Sequence, residues 1–243
     1  TGVVITADDT AWGWNIGAAW DVTPAWRLAA AYRSEIKYKL SGTADFNNPT
    51  VTAPPQLAPV INTLANLVNT RGLYARSITS DITLPQIANL SAVWRVNPQW
   101  EVMADGQWTG WSSITDLTFY NTDGSVLSGI PLEWDDTWKF AVGTSYRYND
   151  QWKARFGVAF DQTPVTSHPT ARLPDSDRWW LTLGGEYRWT RDWKFDAGLV
   201  YIKGDSAEFD QRFTGTEAAS LGQIRGSYDA SVWILSAQAV YSF

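Results

Sequence analysis

Polar and apolar residues alternate along much of this chain with period two. From Trp26 to Leu40 the even positions include Trp26, Leu28, Ala30, Tyr32, Ile36, Tyr38 and Leu40, and the odd ones include Arg27, Arg33, Glu35, Lys37 and Lys39. Strict alternation predicts a β-strand, and fifteen residues of it exceed the usual length of a half-buried strand. The pattern recurs from Trp138 to Tyr148, from Trp152 to Phe160, from Trp193 to Tyr201 and from Trp233 to Phe243. It predicts about nine strands, near 11–22, 26–40, 77–96, 100–119, 137–148, 152–161, 178–189, 193–203 and 228–243. Short turns follow the first, third, fifth and seventh strands. Longer connections (41–76, 120–136, 162–177 and 204–227) follow the others.

Long alternating strands arise in a soluble sandwich or lectin, apolar side inward, or in a membrane barrel, apolar side toward lipid. The aromatic positions favour the membrane. "DVTPAWRL", "RVNPQWEV", "RYNDQWKA" and "WTRDWKF" each place a tryptophan just after a short turn: Trp26, Trp100, Trp152 and Trp193. Indole rings prefer the headgroup zone, so these four predict one thin aromatic girdle on the short-turn, periplasmic side, facing outward. The fold class expected is all-β, an antiparallel transmembrane β-barrel in the cell outer membrane, in contact with its lipids. Nine is odd, and residue 1 falls on the far side from the short turns, so further strands are expected before it. The chain opens "TGVVITADDT", with neither an initiator Met nor a signal-peptide pattern.

Composition narrows the chemistry. Net charge is −6, which argues against nucleic acid as a partner. Mean hydropathy is −0.25, and no stretch approaches a membrane helix. There is no Cys among the 243 residues and only one His, His168, so no metal site, cofactor or catalytic residue is expected, and an enzyme is disfavoured. "PDSDR", Pro174 to Arg178, reads as a turn pinning its loop to the rim. The polar face of the strands mixes signs: Arg27, Arg33, Glu35, Lys37, Glu101, Asp105, Lys139, Arg147, Lys153, Arg155, Glu186 and Asp196, among others. Most of these are expected to form a cross-strand ion-pair lattice.

The connection 41–76 contains "PPQLAPVINTLANLVNTRG". Val60, Ile61, Leu64, Leu67 and Val68 fall at helical spacing there, with Gly72 as the stop. An apolar stripe in an exposed loop either packs on a neighbouring loop or binds a ligand.

"TLPQIANLSAVWRVNPQWEVMADGQWTGWSS", "DDTWKFAVGTSYRYNDQWKARFGVAFDQTPV" and "LPDSDRWWLTLGGEYRWTRDWKFDAGLVY" resemble the C-terminal part of the FadL/TodX family, as does the ending "SVWILSAQAVYSF". The resemblance covers essentially the whole chain. It implies a fourteen-stranded barrel plugged by an N-terminal hatch, with the nine strands here corresponding to the sixth to fourteenth. It implies passive uptake of long-chain fatty acids or other hydrophobic molecules such as aromatic hydrocarbons, by a monomer. The 41–76 loop would form part of the groove that first captures ligand, through Val60, Ile61, Leu64, Leu67 and Val68. Two cations, Arg33 mid-barrel and Arg178 near the upper rim, are candidates to hold a ligand carboxylate. Family members carry a basic residue shortly before the strand starting at Thr137, where this chain has Ile130 in "SGIPLEWDD", which implies a rearranged carboxylate contact or a less acidic ligand. Tyr241 and Phe243 share the apolar face, the terminal aromatic pattern read by the barrel-assembly machinery. The competing readings are an adhesin, receptor or structural barrel working through its loops, and a polar-solute porin, which the implied plug and apolar loop stripe disfavour.

Overall fold

The structure, a computed structural model, describes residues 2–47, 57, 59–61, 63, 75–166, 169, 171, 173–212 and 222–243. In chain order the strands begin with β1 (Gly2–Asp8), β2 (Asn15–Thr23), β3 (Trp26–Arg33) and β4 (Ile36–Asn47). Then come β5 (Arg76–Leu84), β6 (Ile87–Arg95), β7 (Trp100–Thr109), β8 (Asp116–Asn121) and β9 (Val126–Pro131). β10 (Thr137–Arg147), β11 (Trp152–Asp161), β12 (Arg178–Arg188) and β13 (Trp193–Gly204) follow. β14 (Ala207–Arg212), β15 (Gln223–Tyr228) and β16 (Ser231–Tyr241) complete the series.

The chain divides into two compact units. The first comprises Thr1–Trp12, Lys37–Thr83 and Asp116–Pro131; the second comprises Gly13–Ile36, Leu84–Thr115 and Leu132–Phe243. In the first, five strands pair in the order β1-β4-β5-β8-β9. Ala44 and Ile78 are buried there, and the buried Ser80 hydroxyl donates to the Thr118 carbonyl at 2.8 Å. Gly42 is required where β4 passes β1, because a Cβ there would lie 1.9 Å from the Thr6 carbonyl oxygen. The β8–β9 turn uses Gly124 at φ 82°, with Asp123 accepting from the backbone and hydroxyl of Ser125.

The second unit holds nine antiparallel strands in the order β16-β13-β12-β11-β10-β7-β6-β3-β2. These are the nine that alternation predicts, but sixteen strands are described in all. Three expected strands are each two: 26–40 breaks at 34–35, 77–96 at 85–86 and 100–119 at 110–115. The breaks share one height, since Arg33 faces Ile87 and Ile87 faces Thr109. Each has a local cause. Ser34 turns inward, accepting from the Trp14 amide at 3.0 Å; Pro85 removes a ladder donor; and Trp111–Ser113 forms a 3-10 turn after Gly110. The connection expected over 204–227 carries the β14–β15 hairpin, and β1 stands where no strand was expected.

One device builds all four short turns. Thr23, Asn97, Asn149 and Thr190 each accept, through the side-chain oxygen, the amides two and three residues on. The second of those amides always belongs to a turn tryptophan. The residue before that tryptophan gives its carbonyl to an amide at the end of the neighbouring strand: Ala25 to Arg95, Gln99 to Arg147, Gln151 to Arg188 and, one residue past β16, Asp192 to Ser242. A Thr or Asn followed three residues later by Trp therefore closes the turn and docks it sideways.

The tryptophans open β3, β7, β11 and β13, and all four are exposed. Each meets an aromatic ring on the neighbouring strand: Trp26 on Trp94 at 5.4 Å, Trp100 on Tyr146 at 4.5 Å, Trp152 on Tyr187 at 4.5 Å and Trp193 on Tyr241 at 5.0 Å. Beyond this ladder the same face presents Leu90, Phe140, Val142, Leu183 and Leu235, the last 81% exposed. Among the described residues only Ala44, Ile78, Ile114 and Leu132 are buried apolar side chains. A sheet that exposes its large apolar residues on one continuous face is built for lipid.

Candidate functional site

The opposite face of the nine-stranded sheet carries the charges, and near the short turns they pair in alternating sign. Arg27 meets Asp21 at 2.7 Å, Arg95 lies 3.6 Å from Asp21 and 3.8 Å from Glu101, and Lys153 lies 3.5 Å from Glu101. Arg155 bridges Glu186 at 2.5 Å and Asp196 at 3.0 Å, two carboxylates that sit opposite one another in the β12–β13 register. This is the expected lattice.

At the other end, where the strands break, the same face opens into a cavity of ≈ 470 Å³. One side is apolar and aromatic. Trp111, from the 3-10 turn, meets Trp134 edge-on at 5.3 Å, with Ile87, Val165 and Leu173 beside them. The other side is charged. Lys139 and Arg178 share Asp161, at 3.7 and 3.6 Å, and Arg178 also holds Asp175 at 3.0 Å. Lys139 Nζ lies 4.0 Å above the Trp180 ring. The sequence sets this up: alternation aims Thr137, Lys139, Asp161 and Arg178 away from the lipid face, and register puts Lys139 and Arg178 on either side of Asp161. Two buried donors, Arg178 Nε and the Trp180 indole N–H, have no acceptor among the described residues. An amphiphile fits such a site, its body on the tryptophans and an acceptor atom at the cations. Among the described residues no cluster of metal-ligating side chains is present.

"PDSDR" pins its loop as expected. Asp175 and Asp177 accept from the hydroxyl and amide of Thr163, at 2.9 and 2.8 Å, while the Asp177 carbonyl accepts the Asp205 amide at 2.9 Å.

Of the sequence candidates, Arg178 lines the cavity. Arg33 does not, although it heads the register row Arg33, Ile87, Thr109, Thr137 whose other three members do. Among the described residues Arg33 makes no ion pair. Val60 and Ile61 belong to the first unit, where residues 59–61 and 63 are helical, the Thr63 hydroxyl donates to the Pro59 carbonyl at 2.9 Å, and Val60 is exposed. Leu64, Leu67, Val68 and His168 lie outside the described residues. Ile130 is also in the first unit, on β9 opposite Leu117. Sequence reasoning did not single out Trp111 and Trp134; their signal is that Trp111 takes an odd, polar-face position in the expected strand 100–119 and Trp134 lies in the expected connection 120–136.

A sheet with a lipid-facing, aromatic-banded surface and an ion-paired reverse face defines an outer-membrane β-barrel protein. The chain belongs to the outer membrane protein transport protein family (OMPP1/FadL/TodX), whose family model matches residues 3–243. It is 26% identical over 240 residues to the long-chain fatty acid transport protein of Escherichia coli O6:H1, covering 98% of this chain and 51% of that protein. Its structure is similar to that of a Pseudomonas aeruginosa FadL homologue, with TM-score 0.80 and 28% identity over 97% of this chain and 53% of that one. The fold is also shared with the P. putida toluene transporter TodX, with TM-score 0.57 and 17% identity over 99% of this chain and 53% of that one. The chain thus spans about half or less of the length of the curated relatives it matches.

Proposed function

We propose that the protein is a passive outer-membrane transporter of hydrophobic molecules, long-chain fatty acids or aromatic hydrocarbons. Residues 1–243 form the C-terminal portion of its single barrel domain. The observation that carries this reading is the cavity at the broken end of the sheet, with Trp111 and Trp134 on one side and Lys139 and Arg178 on the other. Its ≈ 470 Å³ is within the ordinary range for small-molecule sites. The similarity to a long-chain fatty acid transport protein supports the ligand class. Capture begins at the loop carrying Val60, Ile61, Leu64, Leu67 and Val68, and each methylene buried there contributes about 0.8 kcal/mol. A net charge of −6 gives no long-range attraction for an anion, so capture depends on chain length more than on salt. Ligand then diffuses through a plugged lumen. The protein works as a monomer placed by the barrel-assembly machinery.

The test is uptake of labelled oleate and toluene by cells with and without the gene. Uptake that depends on the gene supports transport; identical uptake without it points to the adhesin or structural reading. Changing Leu64 and Leu67 to Asn should slow uptake at low ligand concentration and matter little when ligand is abundant. Normal uptake by this variant at every concentration would move capture elsewhere.

A further inference from the structure

Register fixes which side chains the nine-stranded sheet turns toward lipid, and one of them is out of place by hydrophobicity. Along β13 the lipid-facing residues run from Trp193 through Phe195, Leu199 and Tyr201 to Lys203, since Trp193 faces Tyr241 and Tyr201 faces Trp233 across the β13–β16 pair. On its other side Lys203 faces Trp179, which is exposed on the same surface. Among the described residues of the nine strands, Lys203 is the one charged side chain on the lipid face. Arg27, Arg95, Lys139, Arg155 and Arg178 all point to the reverse face and pair with carboxylates there. Lys203 is exposed and has no ion-pair partner among the described residues.

The backbone holds Lys203 at one height. The next amide, of Gly204, is accepted by the Ala230 carbonyl at 3.0 Å, and that of Asp205 by the Asp177 carbonyl at 2.9 Å. Lys203 therefore ends the lipid-facing run of β13 on the side away from the short turns, the outer-leaflet side. A lysine is costly at the bilayer midplane and nearly free at the interface, where its stem stays in the apolar layer and its ammonium reaches the headgroups. Ring pairs mark that interface beside it: Phe160 meets Trp179 at 5.0 Å, and Tyr201 meets Trp233 at 4.4 Å. The short-turn girdle has no such cation among the described residues of the lipid face. The charge of that face is thus asymmetric across the membrane.

We propose that Lys203 and the rings around it bind a phosphorylated glycolipid of the outer leaflet. The ammonium takes the phosphate, and Trp179, Tyr201 and Trp233 take the sugar and the upper part of the acyl chains. Charge complementarity names this occupant: an unpartnered ammonium at headgroup height needs an anion, and lipid headgroups are what surrounds it. An ammonium acts as a point charge and suits a phosphate, whose charge is spread over several oxygens. A phosphate monoester on a sugar carries nearly twice the charge of a glycerophospholipid diester, and a rigid sugar ring offers its face to exposed indoles. The site does not depend on what the barrel transports.

The test uses the purified full-length protein, refolded free of native lipid, and native mass spectrometry to count bound lipid. The probes are lipid A (a doubly phosphorylated, acylated disaccharide), its dephosphorylated form, and phosphatidylglycerol. Lipid A should bind saturably. Lys203→Gln should weaken it about fivefold, the share of one lysine beside an anionic lipid surface, and Lys203→Arg should keep most of the affinity. Dephosphorylated lipid A should bind the wild type and Lys203→Gln alike. Lys194→Gln removes an equal charge from the reverse face, where Lys194 lies 3.6 Å from Asp196, and should leave lipid A binding unchanged. Heat-dependent gel migration checks that each variant folds as a barrel. Equal lipid A binding by the wild type and Lys203→Gln, or full binding of the dephosphorylated form, would overturn the site. So would an equal loss in Lys194→Gln, which would reduce it to net charge. The same dependence on Lys203 with phosphatidylglycerol would overturn the glycolipid assignment, and displacement of lipid A by millimolar inorganic phosphate would make it a free-phosphate site.

Discussion

The two ends of the nine-stranded sheet are built by opposite means. At the short-turn end, four hairpins repeat one local device, a Thr or Asn side chain closing the turn and a tryptophan three residues later anchoring it. At the other end nothing repeats. Ser34, Pro85 and Gly110 interrupt neighbouring strands for three different reasons, and the cavity draws its walls from β6, β7, β10, β11, β12 and the segments between them. A repeated local device gives a rigid, lipid-anchored rim. A convergence of distant segments gives a space with donors and aromatic faces left over, which is what binding requires.

The largest contrast should appear when one cation is removed from each end. Arg178 holds both Asp161 and Asp175 beside the cavity, so Arg178→Ala leaves two half-buried carboxylates short of a partner and should cost about 2 kcal/mol. Arg27 pairs with Asp21 in solvent-exposed surroundings, and Arg27→Ala should leave the unfolding midpoint unchanged. Denaturant unfolding in lipid vesicles measures both; equal losses would erase the distinction between the ends.

A smaller effect tests the repeat. Asn97→Ala and Asn149→Ala each delete an acceptor for two backbone amides, and each should cost about 1 kcal/mol by the same assay. Because the device is the same, the two losses should agree; a several-fold difference would mean that the turns are held by something not shared.

How far this contrast was legible in the sequence follows from its cause. Lipid acts on every second residue of a spanning strand, so the nine strands and the four turn tryptophans stood out in the alternation. The breaks did not, because alternation runs straight through Tyr32, Ser34, Ile36 and Tyr38; only Pro85 gave a local sign. The β14–β15 hairpin was missed because "AEFDQR" reads as a polar loop. Arg178 could be picked out as a rim cation, but Trp111, at a polar-face position of the expected strand 100–119, and Trp134, in a connection, meet only through long-range packing. Arg147 and Lys153 looked like ordinary members of a lattice until register placed them face to face.

The smallest effect lies in the first unit. Asp123 accepts from the hydroxyl and amide of Ser125, which holds its carboxyl below the ordinary carboxylate range. A depressed pKa means that its stabilising contribution is full above the ordinary carboxylate pKa and is lost only as pH falls through the depressed value. Hydrogen exchange at the Gly124 amide should therefore be insensitive to Asp123 protonation from neutral pH down into the mildly acidic range, and should show loosening of the turn only in strong acid.

The claim that the broken end handles the ligand is tested most directly by crystallising the protein with a long-chain fatty acid brominated along its tail and locating the bromine by anomalous scattering. The account predicts bromine density in the ≈ 470 Å³ cavity, beside Trp111 and Trp134. Bromine found only elsewhere, with that cavity holding none, would contradict it.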